Sequence, residues 1–277
     1  MIRCARIAPS TGQRFGTVVE GIEQQELRLY DLRTGKYETL DQGFHIGGPG
    51  WSPDGRHLAY RKQEFTSPDK ETLYLRLIDS PEKPRVLISG DYRANDPSSY
   101  LADNFMLVSV NVKGGVAMVI DPTVTPPKID SLSLSNYFIS ISPDRKWIAY
   151  QNQGAKGVLV QPWPSLDRRY QVDALGQEPR WRSATELVYF SKDAGTASGA
   201  LTFKRVMIDP ASTSPVGKPQ VLFTDPRFSD TPGWSHAFMP GGDIAYVQTP
   251  AENLGYYVRV VPGWVKAMKR AVDAANK

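Results

Sequence analysis

Trp51-Ser52-Pro53-Asp54-Gly55-Arg56-His57-Leu58-Ala59-Tyr60 is the stretch that decides the fold, because the chain repeats it. Ile141-Ser142-Pro143-Asp144-Arg145-Lys146-Trp147-Ile148-Ala149-Tyr150 matches it position for position. Each copy reads as a tight turn between two apolar strands: proline presets the backbone angle, aspartate bonds the local backbone, and Gly55 accepts a left-handed conformation before the next strand. Weaker copies are Trp181-Arg182-Ser183 leading to Leu187-Val188-Tyr189, Phe238-Met239-Pro240-Gly241-Gly242 leading to Ile244-Ala245-Tyr246, and Leu101-Ala102-Asp103-Asn104 leading to Leu107-Val108. The most degenerate copy is Ala8-Pro9-Ser10 with Phe15-Gly16-Thr17. The copies stand about 40 to 57 residues apart, the period of a propeller or a solenoid.

Between the turns lie alternating, β-prone segments that supply further strands: Glu26 to Asp31, Thr72 to Asp79, and Gly157 to Gln161. Each unit therefore reads as four strands. The expectation is an all-β fold: residues 1–261 form a six-bladed β-propeller of four-stranded antiparallel blades, which leaves only short, protected sheet edges. The last unit departs from the plan. After strands near Asp243 to Val247 and Tyr256 to Val261, Pro262-Gly263 breaks the pattern. A short amphipathic helix is expected over 262–277, with Trp264, Val265, Met268 and Val272 on one face opposite Lys266, Lys269 and Arg270, packed on the propeller. No closing outer strand is evident for this blade, so residues upstream of Met1 are expected to complete the ring.

The composition of the 277 residues fits a folded chain that turns often: 40% hydrophobic, 22% charged, with 22 prolines and 23 glycines. The net charge of +4 comes from lysines and arginines spread along the chain, so nucleic acid is not an expected partner. The single cysteine, Cys4, excludes an intramolecular disulfide and a cysteine-rich metal site. No stretch approaches the roughly 18 apolar residues of a membrane helix, and the opening residues lack a secretory signal's apolar core. The expected compartment is the cytoplasm if Met1 is the natural start, and the periplasm or another extracytoplasmic space if the chain is part of a longer one.

The Trp/Phe-Ser-Pro-Asp-Gly turn followed by Leu/Ile-Ala-Tyr resembles the repeat of TolB-like propellers, a bacterial relative of WD-type repeats, over nearly the whole chain. In the second half, Trp147-Ile148-Ala149-Tyr150, Val160-Gln161-Pro162-Trp163-Pro164, Tyr170-Gln171-Val172 and Glu178-Pro179-Arg180-Trp181 occur in an order similar to the propeller on the C-terminal side of bacterial eukaryotic-like serine/threonine kinases. The tail, Tyr257 to Trp264, is similar to the strand and Trp-containing helix that end such chains, with Gly263 where Asn is usual. The resemblance implies a non-catalytic propeller that binds proteins, peptides or small ligands at one mouth. No Gly-rich phosphate loop, His-Arg-Asp loop or Asp-Phe-Gly occurs here, so no kinase activity is expected. Propellers of this kind also occur joined to serine peptidases.

Catalytic motifs are weak. Gly233-Trp234-Ser235-His236-Ala237 echoes the nucleophile elbow, but Ala237 replaces the second glycine and the segment runs into a propeller hairpin. The three histidines, His45, His57 and His236, show no zinc-ligand spacing. Asp54, Asp103 and Asp144 recur at the repeat period, so they sit on different blades as turn formers and cannot converge on one ion. Trp51, Trp147, Trp163 and Trp181 read as packing between blades. No catalytic residue, metal or cofactor is expected.

Topology points to the candidate site. The connections entering each blade's first strand converge on one mouth of the channel, and they carry Arg93, Asp96, Tyr100, Asn136, Tyr137, Arg180, Trp234 and His236. Aromatic, arginine and carboxylate groups together suit recognition of a protein or peptide. The expectation is a monomeric binding or sensing module, as in a signalling receptor. The alternatives are the accessory propeller of a serine peptidase or other hydrolase, and a propeller enzyme with an axial metal.

Overall fold

The computed structural model describes residues 2–7, 14–20, 24–52, 54–64, 66–90, 94–100, 106–110, 116–122, 124–132, 136–152, 157–192, 201–226, 228, 236–238, 243–248 and 257–261. Their strands form successive antiparallel meanders, each strand bonded to the next in sequence. The first sheet holds β1 (Ile2–Ile7), β2 (Arg14–Glu20), β3 (Gln25–Asp31) and β4 (Tyr37–Gly43). The second holds β5 (His45–Trp51), β6 (His57–Glu64), β7 (Ser67–Leu77) and β8 (Arg85–Gly90), and the third β9 (Ala94–Tyr100), β10 (Met106–Val110), β11 (Val116–Asp121) and β12 (Lys128–Leu132). β13 (Asn136–Ile141), β14 (Trp147–Asn152), β15 (Val158–Pro162) and β16 (Tyr170–Asp173) make the fourth; β17 (Gly176–Trp181), β18 (Glu186–Ser191), β19 (Leu201–Met207) and β20 (Gln220–Asp225) make the fifth. The last is β21 (His236–Phe238), β22 (Ile244–Gln248) and β23 (Tyr257–Val261).

The expected six-bladed architecture of uniform four-stranded blades is therefore corrected. The last sheet has three strands among the described residues, and no helix occurs among them. The helix expected over 262–277 lies outside the described residues.

The repeated turn forms as its residues dictate. In the first copy the Ser52 hydroxyl donates to Asp54, whose Oδ1 also accepts from the Arg56 amide at 3.0 Å, while the His57 amide donates to Ser52 Oγ at 2.9 Å. In the second, Ser142 Oγ donates to Asp144 Oδ1 at 2.6 Å and the Trp147 amide donates to Ser142 Oγ at 3.0 Å. Burial of the Asp54 carboxyl favours its protonated form, but the Ser52 hydroxyl and Arg56 amide outweigh that and hold it below the usual carboxylate range.

The sheets stack through their faces. Val18, Leu27 and Leu29 of the first pack against Ile46, Trp51, Leu58 and Tyr60 of the second. Trp147, Val158 and Val160 of the fourth meet Trp181, Leu187, Tyr189 and Val206 of the fifth. Trp51, Trp147 and Trp181 are buried in these seams, and Trp163 packs partly buried against the core of its own sheet. Full burial of one such side chain is worth about 1.5–3 kcal/mol. Trp181 also donates its indole N–H to the Ser140 carbonyl across the fourth and fifth sheets at 3.0 Å. The opening strands touch in succession, β1 with β5, β5 with β9, β9 with β13 and β13 with β17, and β21 returns to β1. The opening strand of each sheet is thus the innermost, and the arrangement closes on itself.

Candidate functional site

Where one sheet ends and the next begins, a recurrent hydrogen bond fixes the chain. Tyr60 of β6 donates to Asp41 Oδ2 at the end of β4, at 2.5 Å. Tyr189 of β18 donates to Asp173 Oδ2 at the end of β16, at 3.2 Å, and Tyr246 of β22 donates to Asp225 Oδ2 at the end of β20, at 2.6 Å. Each tyrosine follows a turn of the repeat, and each aspartate closes the preceding sheet just before the chain crosses to an innermost strand. Two of the aspartates also hold a lysine, Lys62 Nζ at 3.0 Å from Asp41 and Lys204 Nζ at 3.1 Å from Asp173. Burial, reinforced by Asp41, pushes the Tyr60 hydroxyl far above the ordinary phenol value, so it remains a donor at any physiological pH. In β14 the plan changes: Tyr150 donates to Gln161 of its own sheet.

Three of the innermost strands bulge along their length. Pairing shifts register between Gly47 and Gly50 in β5, Tyr137 and Ser140 in β13, and Gln177 and Arg180 in β17. Phe138 and Glu178 occupy the same place in their bulges, three residues before Ile141 and Trp181, with φ of 52° and 48°. A left-handed conformation costs a non-glycine residue about 1–2 kcal/mol, and bulges of this kind re-aim side chains at functional rims. At Gly47 the Arg61 side chain lies so close that an added Cβ would stand 2.3 Å from Nε. That arginine reaches Glu71 Oε1 at 2.7 Å, in a pair whose carboxylate is almost wholly buried.

The residues expected at the mouth divide into three groups. Arg93 and Trp234 lie outside the described residues. Asp96 and Tyr100 fall in β9, and Asn136 and Tyr137 open β13 opposite Asn152 and Gln151 of β14. Arg180 and His236 carry described side chains. Arg180 is half-buried in β17 beside Val188 of β18. His236 opens β21, and its side chain is fully shielded from solvent. Its ring meets Phe190, Phe203 and Phe238 nearly at right angles, with centroids 6.2, 5.4 and 6.0 Å away. Its Nδ1 stands 3.6 Å from Glu178 Oε2, a carboxylate only 3% exposed. His236 therefore lies within the seam between the fifth and last sheets, shielded from solvent.

Sequence reasoning missed the buried carboxylates Glu178 and Glu71, the latter paired with Arg61. Glu178 had a signal, a carboxylate directly before proline at the head of a strand, but its left-handed backbone is a tertiary outcome. Among the described residues no three His, Cys, Asp or Glu side chains assemble as metal ligands would.

Antiparallel sheets whose opening strands run around a closed axis define the class: a β-propeller. Among solved structures the chain is similar to TolB from Acinetobacter baumannii, with a TM-score of 0.68 and 16% identity over 93% of this chain and 63% of that one. It is also similar to a putative TolB from Agrobacterium tumefaciens, with 0.62 and 19% over 87% and 84%, and to an oligogalacturonate lyase in complex with manganese, with 0.58 and 14% over 93% and 74%. The chain thus spans less than two thirds of the first structure, 63% of its length. No protein-family model and no curated protein sequence matches the chain. At these identities the likeness shows the fold alone, a propeller similar to that of TolB, and lends nothing to the narrower kinase resemblance.

Proposed function

We propose that this propeller is a non-catalytic recognition module whose mouth, at the heads of the innermost strands, binds a protein or peptide, as the sensor part of a signalling receptor would. The observation that carries the reading is the Tyr–Asp bond repeated at three seams, between Tyr60 and Asp41, Tyr189 and Asp173, and Tyr246 and Asp225. These bonds fix the connections that display the mouth, and a surface ordered in advance loses less entropy on binding.

The test is capture of partners from a lysate of the protein's own source by the wild-type chain, Arg180→Ala, and an exposed outer-strand control, Val221→Ala. Tyr137→Ala serves as a second mouth variant. A partner retained by the control and weakened at least about tenfold by the mouth variants supports the reading; tenfold corresponds to about 1.4 kcal/mol. Equal capture by all four removes the mouth as the site. Metal retained on purification with no partner captured would favour the axial-metal enzyme. His236→Ala is unsuitable as a mouth variant, because truncating a fully buried ring leaves a cavity and destabilises the seam.

A further inference from the structure

We infer that the turn end of the fourth sheet is a docking surface for an acidic peptide segment, gripped by Arg145, Lys146, Arg168 and Arg169. The surface lies at the opposite end of its sheet from the connections that lead into the innermost strands, so the inference does not depend on what the mouth binds.

The meander brings two turns together here: residues 142–146 join β13 to β14, and residues 163–169 join β15 to β16. The Trp163 amide donates to the Lys146 carbonyl at 2.7 Å and ties one turn to the other. Both turns hold a non-glycine residue in the left-handed region, Arg145 with φ 60° and Leu166 with φ 54°. The sister turn has Gly55 where Arg145 stands, so the fourth sheet bears a strain that glycine would relieve, and such departures collect at functional sites. The outer turn is supported from beneath. Buried Gln161 accepts from Tyr150 and donates through Nε2 to the Leu166 carbonyl at 2.9 Å, while the Leu166 amide donates to the Pro162 carbonyl at 3.0 Å. Leu166 packs against the sheet's core, which leaves Asp167, Arg168 and Arg169 exposed on a fixed frame. Tyr150, the tyrosine that forgoes the Tyr–Asp bond, thus supports this turn instead.

Charge is one-sided at this end. Arg145, Lys146, Arg168 and Arg169 are all exposed. Of the carboxylates in the two turns, Asp144 accepts from the Ser142 hydroxyl at 2.6 Å and the Lys146 amide at 3.3 Å, and Asp167 is exposed next to Arg168. Arg169 stands beside the Tyr150 hydroxyl, which burial pushes above the ordinary phenol value, so that neighbour is neutral. Adjacent sheets are more evenly mixed. On the fifth, Arg182 and Arg205 share Glu186 at 3.2 and 3.5 Å, and the turn into β20 carries both Asp209 and Lys218. On the third, Asp121 and Lys128 flank one turn, and the other, 101–105, lies outside the described residues. A nucleic-acid strand continuing onto the fifth sheet would meet Glu186 and Asp209, whereas an anionic segment a few residues long stays on the fourth. Arginine forks clasp carboxylates through paired bonds, and the partly buried Trp163 adds the aromatic surface that peptide recognition uses.

The test is fluorescence anisotropy with a fluorescein-labelled hexaglutamate peptide, at low ionic strength and again at about 0.15 M salt, which screens exposed charges. The peptide should bind, and more weakly in salt. Arg168→Glu with Arg169→Glu should weaken binding at least about tenfold. Lys83→Glu with Lys218→Glu changes net charge equally at exposed sites of other sheets and should cost less than about threefold. Arg145→Gly relieves the strained backbone, so it should hold the peptide about threefold more weakly in a fold that is no less stable. No binding at low ionic strength, equal losses in the two double variants, or unchanged binding by Arg145→Gly would overturn the inference. Tighter retention of oligothymidylate or of phosphatidylserine vesicles, lost with Arg168 and Arg169, would overturn it in favour of that other class of partner.

Discussion

At Arg145 the chain holds a left-handed backbone, φ 60°, where the sister turn has Gly55 at φ 68°. The remaining bonds of the two turns are alike, so Arg145 bears a strain of about 1–2 kcal/mol that Gly55 escapes. Arg145→Gly is expected to raise stability by up to about 1 kcal/mol, the gain being reduced by glycine's freedom in the unfolded chain, and Gly55→Ala to lower it by about 1 kcal/mol. Urea unfolding of both variants checks the pair, and equal and opposite signs are the point of the test. In the same turn His57 is shifted below the ordinary imidazole value, first by burial and then by Arg56 and Arg85, against the pull of Asp54. A depressed folded-state value means that the neutral ring is favoured by folding, so its contribution is present above about pH 6.5 and is lost as pH falls through the depressed value. His57→Gln should therefore lose less stability than the wild type between about pH 6.5 and 5, read from melting temperatures across that range. A steeper loss in the variant would reverse the assigned sign.

The seams between sheets depend on side chains that belong to different repeats. Tyr60→Phe removes the donor to Asp41 while Lys62 still holds that carboxylate at 3.0 Å, so the loss is expected near the low end of the about 1.5–3 kcal/mol of a bond to a charged group. A double-mutant cycle of Tyr60→Phe with Asp41→Asn should return a coupling of about 1 kcal/mol or more, whereas a value near zero would make the bond incidental to the seam. These elements also show where sequence reading succeeds. The serine-proline-aspartate turn was legible because every bond it makes is within about five residues, and its tyrosine was visible as part of the repeat. The aspartates were not: Asp41, Asp173 and Asp225 stand 19, 16 and 21 residues before their tyrosines, in a different sheet. The near-constant offset is a usable signal, but it acquires meaning only once the stacking of sheets is known. The same limit hid Glu178, whose partner His236 was singled out for its place in the sequence and placed on the mouth's surface, while the structure buries it among phenylalanines.

For the molecule as a whole, the ring decides how local losses are felt. Each sheet packs chiefly on its neighbours, as in other repeat architectures, but β21 returns to β1, so no sheet is a free end from which unfolding can start. Two of these bonds, Tyr60 with Asp41 and Tyr246 with Asp225, stand in separate seams. In a closed, cooperative ring their losses should add: Tyr60→Phe and Tyr246→Phe together should cost the sum of the single variants within about 0.5 kcal/mol. The double variant should still unfold in one transition with an unchanged denaturant slope, because the same surface is exposed at once. If closure of β21 on β1 were too weak to bind the ring into one unit, Tyr246→Phe would split the transition. The last sheet would then melt first by a probe placed there, and the Tyr60→Phe loss would appear only in the second step. Circular dichroism followed beside a local probe on β22 separates the two outcomes, and the first is expected because Tyr246 and Ile244 are buried in a core shared with Phe190 and Phe203 of the fifth sheet.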